Sequence, residues 1–201
     1  MSANLAAMEF SLTIPSDWYQ LPTPDVPVAE YWAPTVAQLE VDEETASRLV
    51  FGLSNVTAVA RAKSGGVRAG WALIAEPTRG RVDALMTLNL LARSEGDFDR
   101  YLAFATADQD ADAPIEVINR TVTRAEFATG PAVVVHDFTL VRNEGGVPEP
   151  ALERATVGVF PTVGAVAFEL AIITQDLAVF EDVAALATEI ASQMKFEEST
   201  E

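Results

Sequence analysis

The sequence predicts an α+β fold, in which a central, largely antiparallel sheet of about six or seven strands is covered by about three helices. The stretch from Arg154 to Phe196 reads as strand, tight turn, strand and amphipathic helix, and each local signal agrees with the next. Upstream, further strand-like segments are joined by short turns, which favour antiparallel hairpins. A length of 201 residues with 49% hydrophobic residues suits one substantial core, so we expect a single domain over residues 1–201.

The N-terminal segment starts with a strand and continues into a proline-rich connector. Residues 9–14 alternate apolar and polar side chains until Pro15, and residues 16–19 are expected to form a turn. Four prolines then fall between residues 21 and 34, which is more than a regular helix or a central strand tolerates. We therefore expect a meandering surface segment over residues 21–34.

A helix and a hairpin are expected next. Residues 42–45 open the helix with acidic side chains, which the helix dipole favours in a first turn. The apolar residues that should form its buried face are Ala46, Leu49, Val50, Leu53 and Val56. Residues 64–66 (SGG) end the helix, and strands over 67–76 and 81–92 follow, joined by a turn over 77–80. The polar residues that alternate in the second strand, on a face we expect to meet water, are Arg81, Asp83, Thr87 and Asn89.

The second half adds a short helix, another strand pair and the closing hairpin. The helix begins at Gly96-Asp97 and runs to about residue 105, and strands over 115–127 and 131–142 are joined by a turn at Gly130. The second of these strands is apolar on both faces, so it is a candidate for a central strand. After the hairpin, Asp176 is the expected N-cap of the last helix. The residues that should form its buried stripe are Phe180, Val183, Ala187, Ile190 and Met194.

Composition excludes several classes of function. There are no cysteines, which rules out disulfides, thiol catalysis and cysteine-ligated metals. A net charge of −17 repels phosphate backbones, so we expect no nucleic-acid partner. No apolar run is long enough to span a bilayer, and the first residues lack the features of a signal peptide. We therefore expect no membrane association and a cytoplasmic location.

The layout resembles a known group of α+β domains. The start FSLTIPSDW, the central antiparallel strands and the ending FELAIITQDLAVFEDVAALATEIASQMKFE are similar to those of the PsbP/Mog1 group, which includes uncharacterised actinobacterial proteins. The resemblance implies a sheet between helices and a non-enzymatic binding role. Roles within the group range from photosystem assembly to binding a small GTPase, and no functional residue transfers. The proline-rich segment at 21–34 departs from the group's pattern.

Candidate catalytic residues are sparse. His136 is the only histidine, and its neighbour Asp137 projects from the opposite face of a strand, so a structural role is favoured over that of a general base. Neither a glycine-rich phosphate loop nor a nucleophile elbow occurs. We therefore predict that the protein is not an enzyme, that it has no catalytic, cofactor-binding or metal-binding residues, and that it needs no cofactor.

An acidic run raises the question of calcium. Asp108, Asp110 and Asp112 alternate like the first ligands of an EF-hand loop. Ala113 stands where that loop needs glycine, and Asn119 stands where it needs a bidentate glutamate. A solvated acidic turn is the favoured interpretation, and weak cation binding is the alternative.

Four aromatic residues frame the proline-rich segment and are candidates for an interaction site: Trp18, Tyr19, Tyr31 and Trp32. Packed inside, they would anchor the segment. Exposed together, they would form a patch that binds a protein.

The predicted function is a non-enzymatic module that binds or helps to assemble another protein, through the open sheet face or the aromatic segment. The first alternative is a carrier of a small apolar ligand, with a pocket lined by residues such as Leu88, Phe138 and Phe168. An acidic secretion-chaperone role is the other alternative, and a homodimer is one state that the sequence leaves open.

Overall fold

The computed structural model describes residues 8–62, 68–92, 94, 96–107, 115–141, 151–164 and 166–198. Its elements follow one another as β1 (Met8–Ser11), β2 (Trp18–Gln20), α1 (Val28–Ala37), α2 (Glu43–Ala62), β3 (Ala69–Leu73), a short 3-10 helix (Pro77–Arg79), β4 (Ala84–Ala92), α3 (Asp97–Thr106), β5 (Ile115–Phe127), β6 (Gly130–Val141), β7 (Leu152–Val159), β8 (Val166–Thr174), α4 (Val183–Ser192) and β9 (Lys195–Glu198).

Seven strands form one sheet in the order β2-β3-β4-β8-β7-β6-β5, and β1 pairs with β9 in a separate two-stranded sheet. Every pairing whose register is described is antiparallel. The predicted α+β class and the predicted number of strands in the central sheet are therefore confirmed. The described residues contain four α-helices, one more than expected.

The chain divides into two compact units, residues 15–89 and residues 1–14 together with 90–201. The single domain over residues 1–201 stays a prediction, because compactness alone does not show whether the units fold independently.

The unit of residues 15–89 is built around the helix pair α1 and α2, with α2 also packed on β3. Its core is apolar and includes Leu21, Trp32, Val36, Leu49, Leu53, Ala60, Ala72, Ile74 and Leu85. On α2 the fully buried residues are Thr45, Leu49, Leu53, Thr57 and Ala60. The predicted stripe is fully buried at its two leucines, and its other members, Ala46, Val50 and Val56, are partly buried and pack against the same core. Thr57 lies beside Trp32, whose indole Nε1–H donates a hydrogen bond to Thr57 Oγ1 at 3.2 Å.

The proline-rich segment is more regular than the sequence predicted. Residues 28–34 belong to α1, so the meander proposed over 21–34 is wrong for its second half. Pro27 stands at the N-cap with extended backbone (φ −60°, ψ 121°), where a missing N–H costs nothing. Pro34 lies inside α1 on its exposed side, where burying Trp32 and Val36 outweighs one lost backbone hydrogen bond. The expected turn is also shorter, because Trp18 already starts β2.

The polar face predicted for the β4 strand does not meet water throughout. Asp83 and Thr87 are buried, with 3% and 0% exposure. Asp83 is stabilised there because its carboxylate accepts hydrogen bonds from the Ala75 N–H (2.8 Å) and from Arg81 Nε (2.9 Å). A paired carboxylate of this kind can be buried at acceptable cost.

The other unit contains the predicted hairpins. The β5–β6 pair and the β7–β8 pair are confirmed, and β6 lies between β5 and β7 as a central strand should. Helix α4 packs against β6, β7 and β8, and α3 packs against β6. Four residues of the predicted α4 stripe are buried: Val183, Ala187, Ile190 and Met194.

Two predictions at the C-terminus are corrected. The N-cap of α4 is Asp182, whose carboxylate accepts from the Ala185 N–H at 2.8 Å, whereas Asp176 accepts from the Ala178 N–H within a preceding turn. Strand β9 was not predicted. It pairs with β1 in a register that places Phe10 opposite Phe196. The aspartates of the acidic run (108, 110 and 112) and the predicted helix stop at 64–66 lie outside the described residues.

Candidate ligand-binding cleft

A cleft of about 260 Å³ opens in the unit of residues 15–89. It lies where the connector after β2 passes the last turns of α2 and the start of β3. The residues that line it are Gln20, Leu21, Pro22, Thr23, Pro24, Thr57, Ala60, Arg61, Arg68, Ala69 and Gly70.

The floor of the cleft is apolar and made of small side chains. Leu21 and Ala60 are buried, with 9% and 3% exposure. The Leu21 N–H donates to the Gly70 carbonyl oxygen at 2.8 Å, which holds the connector against β3. A Cβ at Gly70 would lie 2.8 Å from Leu21 Cδ1, so a larger residue there would require the Leu21 side chain to shift.

Two arginines contribute positive charge to the cleft. Arg61 donates through Nη2 to the carbonyl oxygens of Thr23 (2.6 Å) and Val26 (3.2 Å). Arg68 is exposed, and no residue that the structure describes pairs with its guanidinium. Its backbone N–H is fixed by the Leu88 carbonyl oxygen at 2.8 Å, so the side chain starts from an ordered position. An exposed guanidinium beside an apolar floor suits a ligand that carries an anionic group.

Two of the four aromatic residues singled out in the sequence, Tyr31 and Trp32, contact residues that line this cleft. Trp18 and Trp32 are buried at 7% and 0% exposure, and Tyr19 and Tyr31 are half-buried. The Tyr31 hydroxyl donates to the Gln20 carbonyl oxygen (3.1 Å), and the rings of Tyr31 and Trp32 meet edge to face at 5.0 Å. Together with the indole bond to Thr57, these contacts fix two lining positions. Burial of both tryptophans supports the anchoring interpretation over an exposed aromatic patch.

The ligand pocket suggested by the sequence is not this one. Leu88 and Phe168 are fully buried core side chains and Phe138 is half-buried, and none of them lines the cleft. Sequence reasoning also missed Arg61 and Arg68. No local signal connects Arg61 with the proline-rich segment, because its partners there are 35 to 39 residues away.

His136 and Asp137 are separated as the strand alternation predicts. His136 Nε2 lies 2.8 Å from Glu153 Oε1. Asp137 is fully buried and accepts from Arg154 (Nε 3.0 Å, Nη2 2.6 Å) and from Arg120 Nη2 (3.1 Å). Burial lowers the pKa of Arg154, but the hydrogen bond and charge of Asp137 outweigh it and the net shift is upward. This arrangement is an ion-pair ladder across β5, β6 and β7.

The described part of the chain shows neither a cluster of metal ligands nor a helix that could span a membrane. No cluster of three or more histidine, aspartate or glutamate side chains suitable for a metal ion occurs among residues with assigned structure. None of the described helices combines the length and the apolar character needed to cross a bilayer.

No family model matches the chain, and no curated protein matches it significantly. Among solved structures it is similar to LpqN, which is involved in cell envelope biogenesis of Mycobacterium tuberculosis. The two are 12% identical, the match covers 96% of this chain and 86% of that chain, and the TM-score is 0.48. At that identity and TM-score, the similarity carries no conclusion about the role of this chain.

Proposed function

We propose that this chain is a non-enzymatic binding protein whose cleft holds a small, mostly apolar molecule with one anionic group. The observation that carries this proposal is the exposed guanidinium of Arg68, which has no partner among the described residues, beside an apolar floor of Leu21, Ala60 and Gly70. Small-molecule sites typically combine an apolar lining with a few polar groups that fix orientation. The volume of about 260 Å³ suits a compact ligand, such as a medium-chain or aromatic carboxylate.

The charges that line the cleft favour a ligand with an anionic group, although the chain as a whole is acidic. The net charge of −17 is spread over 201 residues, and physiological salt screens exposed charges beyond about 8 Å. Inside the cleft the nearest charges are Arg61 and Arg68, so the local field attracts a carboxylate. The acidic surface would then select against highly charged anions, such as nucleotides.

The polar groups in the cleft support binding over chemistry. Thr57 Oγ1 is the lining hydroxyl that we consider as a nucleophile. It already donates a hydrogen bond to the Leu53 carbonyl oxygen at 2.7 Å and accepts one from Trp32. Among the residues that the structure describes, no histidine or carboxylate lines the cleft to act as a base. A ligand held here would be carried or sensed without being converted.

The experiment compares octanoate, octanol and octylamine as probes by isothermal titration calorimetry. We expect octanoate to bind most tightly, octanol more weakly and octylamine not measurably. Arg68→Gln should remove about tenfold of the octanoate affinity and leave octanol binding unchanged, because one exposed charged hydrogen bond is worth about 1.4 kcal/mol. Arg79→Gln, an equal change outside the cleft, should alter nothing.

A second variant separates the cleft from other surfaces. Ala69 is half-buried in the lining, and Ala69→Leu should block the binding of both octanoate and octanol by filling the space. Octanoate binding that survives both Ala69→Leu and Arg68→Gln would reject the proposal. Equal affinity for octanol and octanoate would reject the anionic part of it.

Binding of another protein is the second candidate, and an exposed groove between α1 and α2 favours it. Phe51 is 68% exposed at the edge of this groove, next to Val36, Ala46 and Val50. Glu43 also lines the groove, so the surface best fits an amphipathic helix that carries basic residues. A synthetic helix of that kind should bind the wild type and lose affinity for Phe51→Ser, while Val59→Ser, at a position on α2 that is 57% exposed, should bind normally. Equal binding to both variants would count against this surface.

A further inference from the structure

Strand β5 presents a long open edge. It spans 13 residues, Ile115–Phe127, and stands last in the order of the seven-stranded sheet. One side pairs with β6, and no described strand pairs with the other. Edge strands expose unpaired N–H and C=O groups, which can pair with another chain. Edges are usually blunted by lysine, proline or a bulge, and β5 contains neither lysine nor proline.

A bulge does interrupt β5, and it defines the part of the edge that remains regular. The register with β6 shifts between Val117 and Asn119. From Asn119 to Phe127 the pairing is continuous. These nine residues form the regular edge, and their central residue is Thr123.

The regular edge is complementary to itself. A two-fold axis at Thr123 pairs each residue antiparallel with its mirror position, so Arg120 lies opposite Glu126 of the second copy, at both ends of the ladder. At the centre Thr123 faces Thr123, a cross-strand pair that is favourable in antiparallel sheets. Glu126 and Thr123 are exposed, so they are accessible to a second chain.

The charge of β5 also favours a second copy as the occupant. The whole chain carries −17, which opposes self-association through most of its surface. Strand β5 carries two acidic and two basic residues, so its own charge is zero. Self-pairing here places Arg120, which also holds Asp137 of its own chain, opposite Glu126 of the second copy at both ends, and it brings no like charges face to face.

We propose that two copies of this chain associate through β5, antiparallel about Thr123, to continue the sheet across the dimer. A contact confined to two strand edges buries less than the roughly 1,200–2,000 Å² of standard interfaces. The dimer is therefore expected to be weak. The inference is independent of the cleft, which belongs to the other unit.

The absence of cysteine allows a direct test. Opposite Cα atoms in antiparallel strands are about 4.5–5.5 Å apart, within the range that a disulfide spans. Thr123→Cys in an otherwise cysteine-free chain should give a covalent dimer on mild oxidation at micromolar protein concentration. Val163→Cys, an exposed position outside β5, measures random collision. Cross-linking of Thr123→Cys no faster than Val163→Cys overturns the proposal.

The unmodified interface is tested by sedimentation equilibrium. Glu126→Lys places a lysine opposite Arg120 at both ends, and should weaken dimerisation about tenfold. Glu181→Lys, the same change of charge at an exposed loop position, should not weaken it. A single-chain mass up to about 1 mM protein, or equal dimerisation of the two variants, overturns the proposal.

Discussion

Arg61 Nη2 donates to the carbonyl oxygen of Thr23 at 2.6 Å, and this bond ties the last turn of α2 to the proline-rich connector. The same nitrogen lies 3.2 Å from the Val26 carbonyl oxygen and 3.5 Å from that of Pro22. A connector rich in proline is short of N–H donors, so its carbonyl oxygens need an outside donor. A guanidinium meets that need, and it also fixes one wall of the cleft.

Arg61→Ala should therefore loosen the connector. We expect a loss of about 1–2 kcal/mol in the free energy of unfolding, because charged hydrogen bonds to backbone oxygens are removed. Octanoate affinity should fall as well, since the wall of the cleft is no longer held. Urea denaturation measures the first effect and calorimetry the second. Arg79→Ala removes an exposed pair with Glu76 (3.2 Å) and should cost about 1 kcal/mol or less. Equal costs for both variants would contradict the role given to Arg61.

Asp137→Ala should be among the most destabilising single changes in the chain. It removes a fully buried carboxylate that two arginines share, and leaves Arg120 and Arg154 as partly buried cations without their common partner. Removing one partner of a buried pair typically costs about 3–5 kcal/mol. His136→Ala, one residue away on the opposite face, should cost about 1 kcal/mol, because its bond to Glu153 is partly exposed. Urea denaturation measures the free energy of unfolding of both variants. Similar losses in the two would contradict the stabilising role of the ion-pair ladder.

The β5–β6 hairpin shows why parts of this fold could be predicted from sequence. Its turn depends on Gly130, with φ 149°, where an added Cβ would lie 2.4 Å from the Phe160 carbonyl oxygen. Glycine and proline at one point between two apolar segments are local signals, so the hairpin follows from residues near one another in sequence. The N-cap Asp182 was missed for a local reason too, since Asp176 satisfies the same pattern six residues earlier.

Other features of the fold depend on contacts between residues that are far apart in the sequence. Strand β9 reads KFEE, which carries no alternation to mark it, and it forms through pairing with β1 at the other end of the chain. The cleft is likewise assembled from residues 20–24, 57–61 and 68–70. The sequence identified the aromatic residues beside it, but Arg61 could be assigned to its carbonyl oxygens only once the packing of α2 was known.

The helix cap at Asp42 should make stability depend on acid pH. Its carboxylate accepts from the Thr45 N–H (2.8 Å) and hydroxyl (3.0 Å), and these bonds hold its pKa below the ordinary 3.8. A carboxylate whose pKa is lower in the folded state than in the unfolded state stabilises the fold at pH values above its unfolded-state pKa. This stabilisation is lost as the pH falls through the folded-state pKa. The stability difference between wild type and Asp42→Asn should be largest at neutral pH and should shrink below about pH 3.8. A difference that does not change with pH would show that the charge of the cap contributes nothing.

Gly158→Ala should disturb a tyrosine rather than the strand that carries it. A Cβ at Gly158 would lie 2.8 Å from Cε1 and Cζ of Tyr101, so the ring must move away from Glu169, to which its hydroxyl donates at 2.8 Å. We expect a loss of about 1–3 kcal/mol, as for other overpacked sites.

The ionisation of Tyr101 gives a second readout of the same change. Burial raises the pKa of the Tyr101 phenol well above its ordinary 10.0, and the nearby Glu169 carboxylate raises it further. In folded Gly158→Ala the displaced phenol should ionise at lower pH than in wild type, which ultraviolet absorbance detects. A double-mutant cycle with Tyr101→Ala isolates the contact, because the cost of Gly158→Ala should largely disappear once the ring is absent. If that cost persists without the ring, the strain lies in the backbone of β7 and the proposed contact is not its cause.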